Sequence, residues 1–564
     1  MSDNSAVSFL YAKEILSKGQ QCLSKAYAYI KSQCMDGEGK LSSELLDNYQ
    51  YSAYELAYCS AEFSAASFLI DYAEKLHKQK SGGQDIIYEQ RIAMMFCAEV
   101  VQNARSKLSL RLLDYGISAA LYEQTLNHPE LNLFCQEQLQ TCHYVALGEQ
   151  LIQQEGYIAD PQLGEDINIM REAFQKFSTD VVMPLAEHIH REDLLVPNEI
   201  LQPLVDMGCF GLSIPEQYGG LQADGEEDTM GMIVVTEELS RGSLAAAGSL
   251  ITRPEILSRA LLAGGTEAQK HYWLPKLASA DPFCAVAITE PDYGSDVASM
   301  KLKAERVAGG WLLNGAKTWC TFAGKAGVLL TLARTDADSS LGHRGLSMFL
   351  VEKPASDGHE FRYQQPSGGV LSGKAIATIG YRGMHSFDVF YDQVFVPDDH
   401  LLGGDAGLGK GFYYTMAGFS GGRIQTAARA NGLMQAAFEQ GMNYAKERKV
   451  FGHAIADYQL TQVKLARMAI LLTASKQFTY AVARLMDAGK GQVEASLVKL
   501  FACKTSEWLC REAMQIHGGM GYAEESAVSR YWIDSRVLSI FEGAEETLAL
   551  KVIARSMIEA ADVE

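Results

Sequence analysis

Ala287-Ile288-Thr289-Glu290-Pro291-Asp292-Tyr293-Gly294-Ser295-Asp296 is the stretch on which the reading of this sequence turns. An apolar run ends in a hydroxyl, an acid, a proline and then a glycine turn. Such a turn offers backbone N–H groups and hydroxyls converging on one spot, which suits a flat polar heterocycle or a phosphate-bearing tail. Trp319-Cys320-Thr321 again sets an aromatic beside a hydroxyl at a strand end. Turn chemistry alone equally allows two ordinary β-turns.

The texture differs on the two sides. From Glu165 to about Ala280 the pattern is helical, interrupted at Gly208, at Pro215–Gly220 and at Gly264-Gly265. Beyond Asp281, Met300, Leu302 and Ala304 alternate with Lys301, Lys303 and Glu305, the period of a half-buried strand. Gly309-Gly310 predicts a hairpin turn, and further strands are expected at Val328–Ala333, Leu346–Val351 and Phe387–Val394. After Gly404 helices return: Val463, Ala466, Ile470, Ala474, Phe478, Ala481 and Leu485 keep steps of three or four and end at Asp487-Ala488-Gly489. Upstream, Leu56, Cys59, Phe63, Ala66, Ile70 and Ala73 form another such stripe. Similar stretches run over 90–115 and 136–154, with breaks at Met35–Gly39 and Ser81-Gly82-Gly83 and a connector at Gly156–Gly164. The expected fold is mainly α with a central β domain, preceded by an extra N-terminal helical bundle. The expected segments are 1–157 for that extension, 158–280 for a helical domain, 281–398 for the β-barrel or sandwich, and 399–564 for a C-terminal helical bundle.

The chain has 564 residues, 49 Lys and Arg against 69 Asp and Glu, and a net charge of −20. That balance argues against nucleic acid or anionic membrane as a partner, because phosphate repels an acidic surface. It leaves room for a local basic socket for a small anion. The 11 Cys form no C-x-x-C pair and no zinc-spaced cluster, so no metal is expected and a reducing compartment is. Met1-Ser2-Asp3-Asn4 carries no secretory signal, and no apolar run nears the ~18 residues of a membrane span. A soluble, cytoplasmic protein is the expectation.

Thr289-Glu290-Pro291 with Gly294-Ser295-Asp296 resembles a signature of the acyl-CoA dehydrogenase family. So do Arg448-Lys449-Val450-Phe451-Gly452, Gln515-Ile516-His517-Gly518-Gly519-Met520-Gly521 and Ile540-Phe541-Glu542-Gly543. The resemblance covers about residues 160 to 564, in family order. Residues 421–430 and 536–544, with the N-terminal extension, are most similar to the branch acting on a short branched dicarboxylic thioester.

The resemblance implies an acyl-CoA substrate, FAD as hydride acceptor, and electron-transferring flavoprotein as the onward acceptor. Glu542 matches the base that removes the α-proton; a carboxylate in an apolar pocket becomes a stronger base, and Ile540 and Phe541 are apolar neighbours. Ile288, Thr289 and Thr321 match donors to the flavin, Trp319 an aromatic against its ring, and Ser295 a contact reaching toward the CoA. Arg448, Gln459, Gln515, Gly518 and Gly519 match a contribution from a neighbouring subunit to the cofactor's phosphates and adenine, implying a homo-oligomer; an N-terminal bundle covering the surface on which other members pair dimers favours a dimer here. Arg423 and Gly543 belong on the substrate side.

Two departures weaken this transfer. Ser420 stands where the family commonly has Asp, and Ala544-Glu545 follow Glu542-Gly543 where Thr or Ser is common, so a hydroxyl contact to FAD is expected to be missing. A buried terminal carboxylate needs a cation, and Arg253 is the candidate, against the alternative of an arginine on a solvated helix end before Pro254. Two other functions remain open at this level: a dehydrogenase for a monocarboxylic acyl-CoA, and a non-catalytic flavin- or partner-binding protein.

Overall fold

Leu56, Cys59, Phe63, Ala66, Ile70 and Ala73 all lie buried along one helix, Gln50–Gln79. Ser52, Ala57, Tyr58, Ala61 and Ala65 are buried as well, so the helix is enclosed on more than the face its stripe announces. Ser2–Gln33 and Ile87–Leu108 pack against it. The computed structural model describes residues 2–79, 87–156, 158 and 161–562; the Ser81–Gly83 break lies outside them, and the Gly156–Gly164 connector in part.

This bundle belongs to a compact unit made of Met1–Leu163, Leu433–Leu485 and Lys490–Glu564. Its C-terminal helices include Gln492–His517 and Ala527–Val537, preceded by most of Gln459–Asp487. Phe68 stacks on Phe478 at 5.3 Å and Phe96 meets Phe501 edge-on at 5.8 Å. Burying each such ring contributes about 1.5–3 kcal/mol. Gly148 lets two helices touch: a Cβ there would stand 2.4 Å from the carbonyl oxygen of Gln462. At the far end Lys31 donates to the carbonyls of Glu559 (2.9 Å) and Ala561 (2.6 Å). Two of the expected helical stretches are shorter than their patterns. Residues 136–154 break at Gln140, between Pro129–Gln138 and Thr141–Gln153, and the stretch from 90 closes at Leu108 before a short turn ending in Gly116.

The second unit contains Gly164–Gly432 and Met486–Gly489. Helices from Glu165–Phe177 to Glu267–Ala278 lead into eight strands. They are β1 (Cys284–Ala287), β2 (Lys303–Val307), β3 (Gly310–Thr321), β4 (Val328–Arg334), β5 (Leu346–Glu352), β6 (Glu360–Gln364), β7 (Val370–Ala375) and β8 (Ser386–Pro397). The sheet runs β1-β4-β2-β3-β8-β7-β6, with β5 paired to β4. β2 and β3 form the expected hairpin, Val307 opposite Gly310, with Gly309 at φ 78°. β6 and β7 lie outside the strands the sequence pattern predicts: each is short, and Phe361 and Leu371 are their only buried large apolar residues. One core packs Ile256, Leu257 and Trp273 of the helices against Ile288, Leu330 and Leu350. Among the described residues, no helix is long and apolar enough to cross a membrane.

The feature that shapes the site is a register shift in β3. Its pairing with β8 slips between Lys317 and Cys320, and such a bulge re-aims a side chain. Trp319 sits in it at φ 56° and stands 55% exposed.

Candidate active site

The turn after β1 is held by a buried ion pair. Lys317 on β3, with no exposed surface, donates to the carbonyl of Ile288 (2.8 Å) and to Glu290 Oε1 (3.0 Å). The Glu290 carboxylate also accepts the N–H groups of Lys301 (2.7 Å) and Leu302 (2.8 Å). Burial pulls the Lys317 ammonium down to about 8, against the opposing pull of Glu290. Glu290 is therefore spent on structure, and the pair sets the turn that carries Ile288 and Thr289. The Thr318 N–H closes the gap between the two strand ends by donating to the Thr289 carbonyl at 2.9 Å. Thr321 lies next along β3, its hydroxyl 2.9 Å from that of Ser386.

Removing one partner of a buried pair costs about 3–5 kcal/mol. Lys317→Met is expected at the low end, because the Glu290 carboxylate keeps its two backbone donors. Denaturant unfolding of the holoprotein checks this; pairing the change with Glu290→Gln should restore part of the loss, since the stranded charge is gone.

The strand ends offer the kinds of group that the ring of FAD, which the sequence resemblance implies, would need. They bring together an exposed indole at Trp319, the Thr289 and Thr321 hydroxyls and turn backbone at Ile288, and nothing lies within 4 Å of where a side chain on Gly294 would stand. Ser295 is exposed on the same turn. Elsewhere in this unit, Asp193 and His385 make a 3.1 Å contact, and His359 brings three ligand-type atoms within 4.8 Å of one another. Arg382 stands 3.4 Å from the same Asp193 carboxylate and donates to the carbonyls of Thr378 and His190. A cation is thus already present there.

Arg253 lies in the first turn of the Thr252–Gly264 helix and is 7% exposed, which removes the solvated helix end as its explanation. Its charge reaches Cys284 on β1: burial pushes that thiol up to about 12 while Arg253 pulls it down. Neighbouring Thr252 donates to Gln425 Oε1 at 2.9 Å, and the Gln425 amide donates to Glu255. Glu255, which the sequence did not single out, is 1% exposed and pairs with Arg259 at 2.9 Å. Its carboxylate also lies against Gly421, where a Cβ would come within 2.1 Å of it. This network ties the helix of Arg253 to the Gly422–Glu447 helix, on which Arg423 is half-buried and has its pKa lowered by desolvation. Ser420, at the position of the missing Asp, caps its own turn by donating to Ala417 (2.7 Å).

Glu542 sits in the first unit, in a loop after the Ala527–Val537 helix. It takes φ 55°, and Gly543 follows at φ 100°. A left-handed glutamate costs about 1–2 kcal/mol, a strain found at functional positions. Glu542 is half-buried, and Phe541 likewise, but Ile540 is 54% exposed. The apolar surround expected from sequence neighbours is therefore only partly supplied. Lys499, 1% exposed on the Gln492–His517 helix, donates to the carbonyls of Phe541 (2.7 Å) and Gly543 (2.5 Å). Nothing in its local sequence marks it.

The remaining motif residues lie at the surface of the same unit. Arg448, Gln459, Gln515, Gly518 and Gly519 are all exposed. His517 stacks on Tyr444 with ring centres 4.3 Å apart, which brings the end of one helix, at Gly518, to the end of another, at Arg448. Arg448 leads into a two-stranded ribbon, Lys449–Val450 with His453–Ala454. Phe451 at its tip is 95% exposed. A Cβ on Gly518 or Gly519 would meet nothing within 4 Å.

Three domain families match consecutive parts of the chain. The acyl-CoA dehydrogenase N-terminal domain matches residues 164–281, the middle domain 285–394 and the C-terminal domain 409–558. The (2S)-methylsuccinyl-CoA dehydrogenase of Cereibacter sphaeroides is 36% identical over 536 residues, 93% of each chain. Among solved structures, a glutaryl-coenzyme A dehydrogenase in complex with glutaryl-CoA matches with TM-score 0.64 and 29% identity, covering 72% of this chain and 98% of that one. The butyryl-CoA dehydrogenase of Megasphaera elsdenii gives TM-score 0.64 and 28% identity, covering 71% and 100%.

Proposed function

The chain belongs to the acyl-CoA dehydrogenase family and is an FAD-dependent oxidoreductase acting on a CH–CH bond; on that premise we propose that it converts (2S)-methylsuccinyl-CoA to mesaconyl-CoA. The observation that carries this choice is the length of the likeness to the Cereibacter sphaeroides enzyme. It spans 93% of both chains, so it includes residues ahead of 164, where the family domains begin. The buried Arg253 supports it from the side of chemistry, because a terminal carboxylate taken out of water needs a cation.

In this reading the Glu542 carboxylate takes the proton from the α-carbon, whose acidity the thioester has raised. FAD, when bound, accepts the hydride that leaves the β-carbon. The electron pair of the α-C–H bond becomes the new double bond, so charge and atoms balance. Backbone and hydroxyl donors at Ile288, Thr289 and Thr321 would hold the polar edge of that cofactor, and the exposed Trp319 indole would offer it an apolar surface. Ser295, Arg423 and Gly543 hold the CoA and thioester end, and Arg253 clamps the far carboxylate. Arg448, Gln459, Gln515, Gly518 and Gly519 serve the cofactor of a second copy in a homodimer; their exposure, and that of the apolar Phe451 on the ribbon that Arg448 leads into, supports this. Electrons pass onward to electron-transferring flavoprotein, and the reaction belongs to the ethylmalonyl-CoA route of acetyl-CoA assimilation.

A panel of CoA thioesters tests the substrate. The (2S)-methylsuccinyl ester should give the highest kcat/KM with a flavoprotein acceptor; a higher value for isovaleryl- or butyryl-CoA would replace this reading by a monocarboxylic one. Phe451→Asp tests the assembly: light scattering should show the dimer dissociating and FAD content falling with it. An unchanged mass and full FAD content would remove that face from the interface.

A further inference from the structure

Lys499 and Tyr54 are assigned by the geometry as positioning residues for the Glu542 loop, so we propose that the N-terminal bundle takes part in catalysis by fixing the base. The inference rests on Glu542 being that base. The loop needs an external hold: residues 542 and 543 both take positive φ, and the Glu542 conformation is disfavoured on its own. Lys499 supplies part of the hold, since its ammonium bonds the carbonyls immediately before and after Glu542. These two bonds hold the backbone on both sides of Glu542 and so set the direction of its Cα–Cβ bond.

The second hold comes from 491 residues away in sequence. The Glu545 N–H donates to the Ser539 carbonyl at 3.0 Å and closes the loop upon itself. The Glu545 carboxylate then accepts the phenol of Tyr54, on the Gln50–Gln79 helix, and the ammonium of Lys504 at 3.2 Å. Burial first, and the Glu545 carboxylate next, raise the Tyr54 phenol above its ordinary value, so it stays an O–H donor wherever the enzyme works. Tyr54 is itself backed by Tyr58, whose ring lies 5.7 Å away and carries Lys107 at 4.5 Å. Ala544-Glu545 thus has a role of its own. The Glu545 carboxylate meets a tyrosine from a segment preceding the matched domains.

The test uses full-length holoenzyme with Tyr54→Phe, Glu545→Gln and Lys499→Met beside Glu542→Gln. Tyr54→Phe removes one oxygen and keeps the ring, so it reports even if Lys499→Met folds poorly. The rate of flavin bleaching in a single anaerobic turnover should fall about tenfold in Tyr54→Phe and in Glu545→Gln, because small displacements of a reacting group are costly. KM should stay within about twofold and FAD content should be full. Combining the two changes should cost less than the sum of their separate effects, since both act on the Tyr54–Glu545 contact. Amide exchange across 538–547 should speed up, and the acid limb of the pH–rate profile should move. A lower melting temperature with unchanged bleaching rate and pH profile would make the contact a structural weld and overturn the proposal while leaving the base intact. Undiminished turnover in Glu542→Gln would instead overturn the reading beneath it.

Discussion

Glu542→Gln should lower turnover by about a thousandfold or more while the protein stays yellow with bound FAD. A positioned general base contributes about 10²–10⁴ in rate, and glutamine keeps the shape of the side chain but cannot take a proton. The loop should survive the change: Lys499 bonds the carbonyls of residues 541 and 543, not the carboxylate under test. Glutamine also occupies left-handed φ no worse than glutamate. Loss of FAD or a large fall in melting temperature would therefore point away from chemistry, and the FAD absorbance of the purified variant separates the cases. Glu542→Asp retracts the carboxylate by one methylene and should fall between the two.

The second large effect concerns Arg253. Arg253→Leu should cut kcat/KM for methylsuccinyl-CoA by about a hundredfold or more, the scale expected when a buried carboxylate loses its cation. Butyryl-CoA, with no terminal charge, should change by only about threefold. The butyryl measurement also controls for folding, because Arg253 is buried and its helix is tied to the Arg423 helix through Thr252, Gln425 and Glu255. Equal losses with both esters would mean that the arginine supports the helices and does not read the substrate.

Residues that act through local pattern were legible in the sequence. The stripe from Leu56 to Ala73, the β2–β3 hairpin and the cap at Gly489 follow from periodicity and turn chemistry, which depend on neighbours a few positions away. The strand-end turn at 289–296 was visible as a turn; the buried pair that sets it was not. Lys317 reads as an ordinary charged residue in a strand, and only pairing across 27 residues makes it the anchor for Glu290. The same holds more strongly for the base. Glu542 stood out through its motif, whereas Lys499 and Tyr54 lie 42 or more residues away from the carbonyls or carboxylate they bond. No local signal marks a lysine that bonds two distant carbonyls. Ile540 shows the opposite failure: adjacency suggests an apolar wall, but that side chain is 54% exposed, because neighbours in sequence need not face the same way.

Anaerobic mixing of holoprotein with (2S)-methylsuccinyl-CoA, wild type beside Glu542→Gln, puts the central claim to the most direct trial. The account predicts that the yellow colour of the wild type fades within one turnover as mesaconyl-CoA forms, and that the variant binds the ester yet stays yellow. Fading at the same rate in both proteins would contradict it.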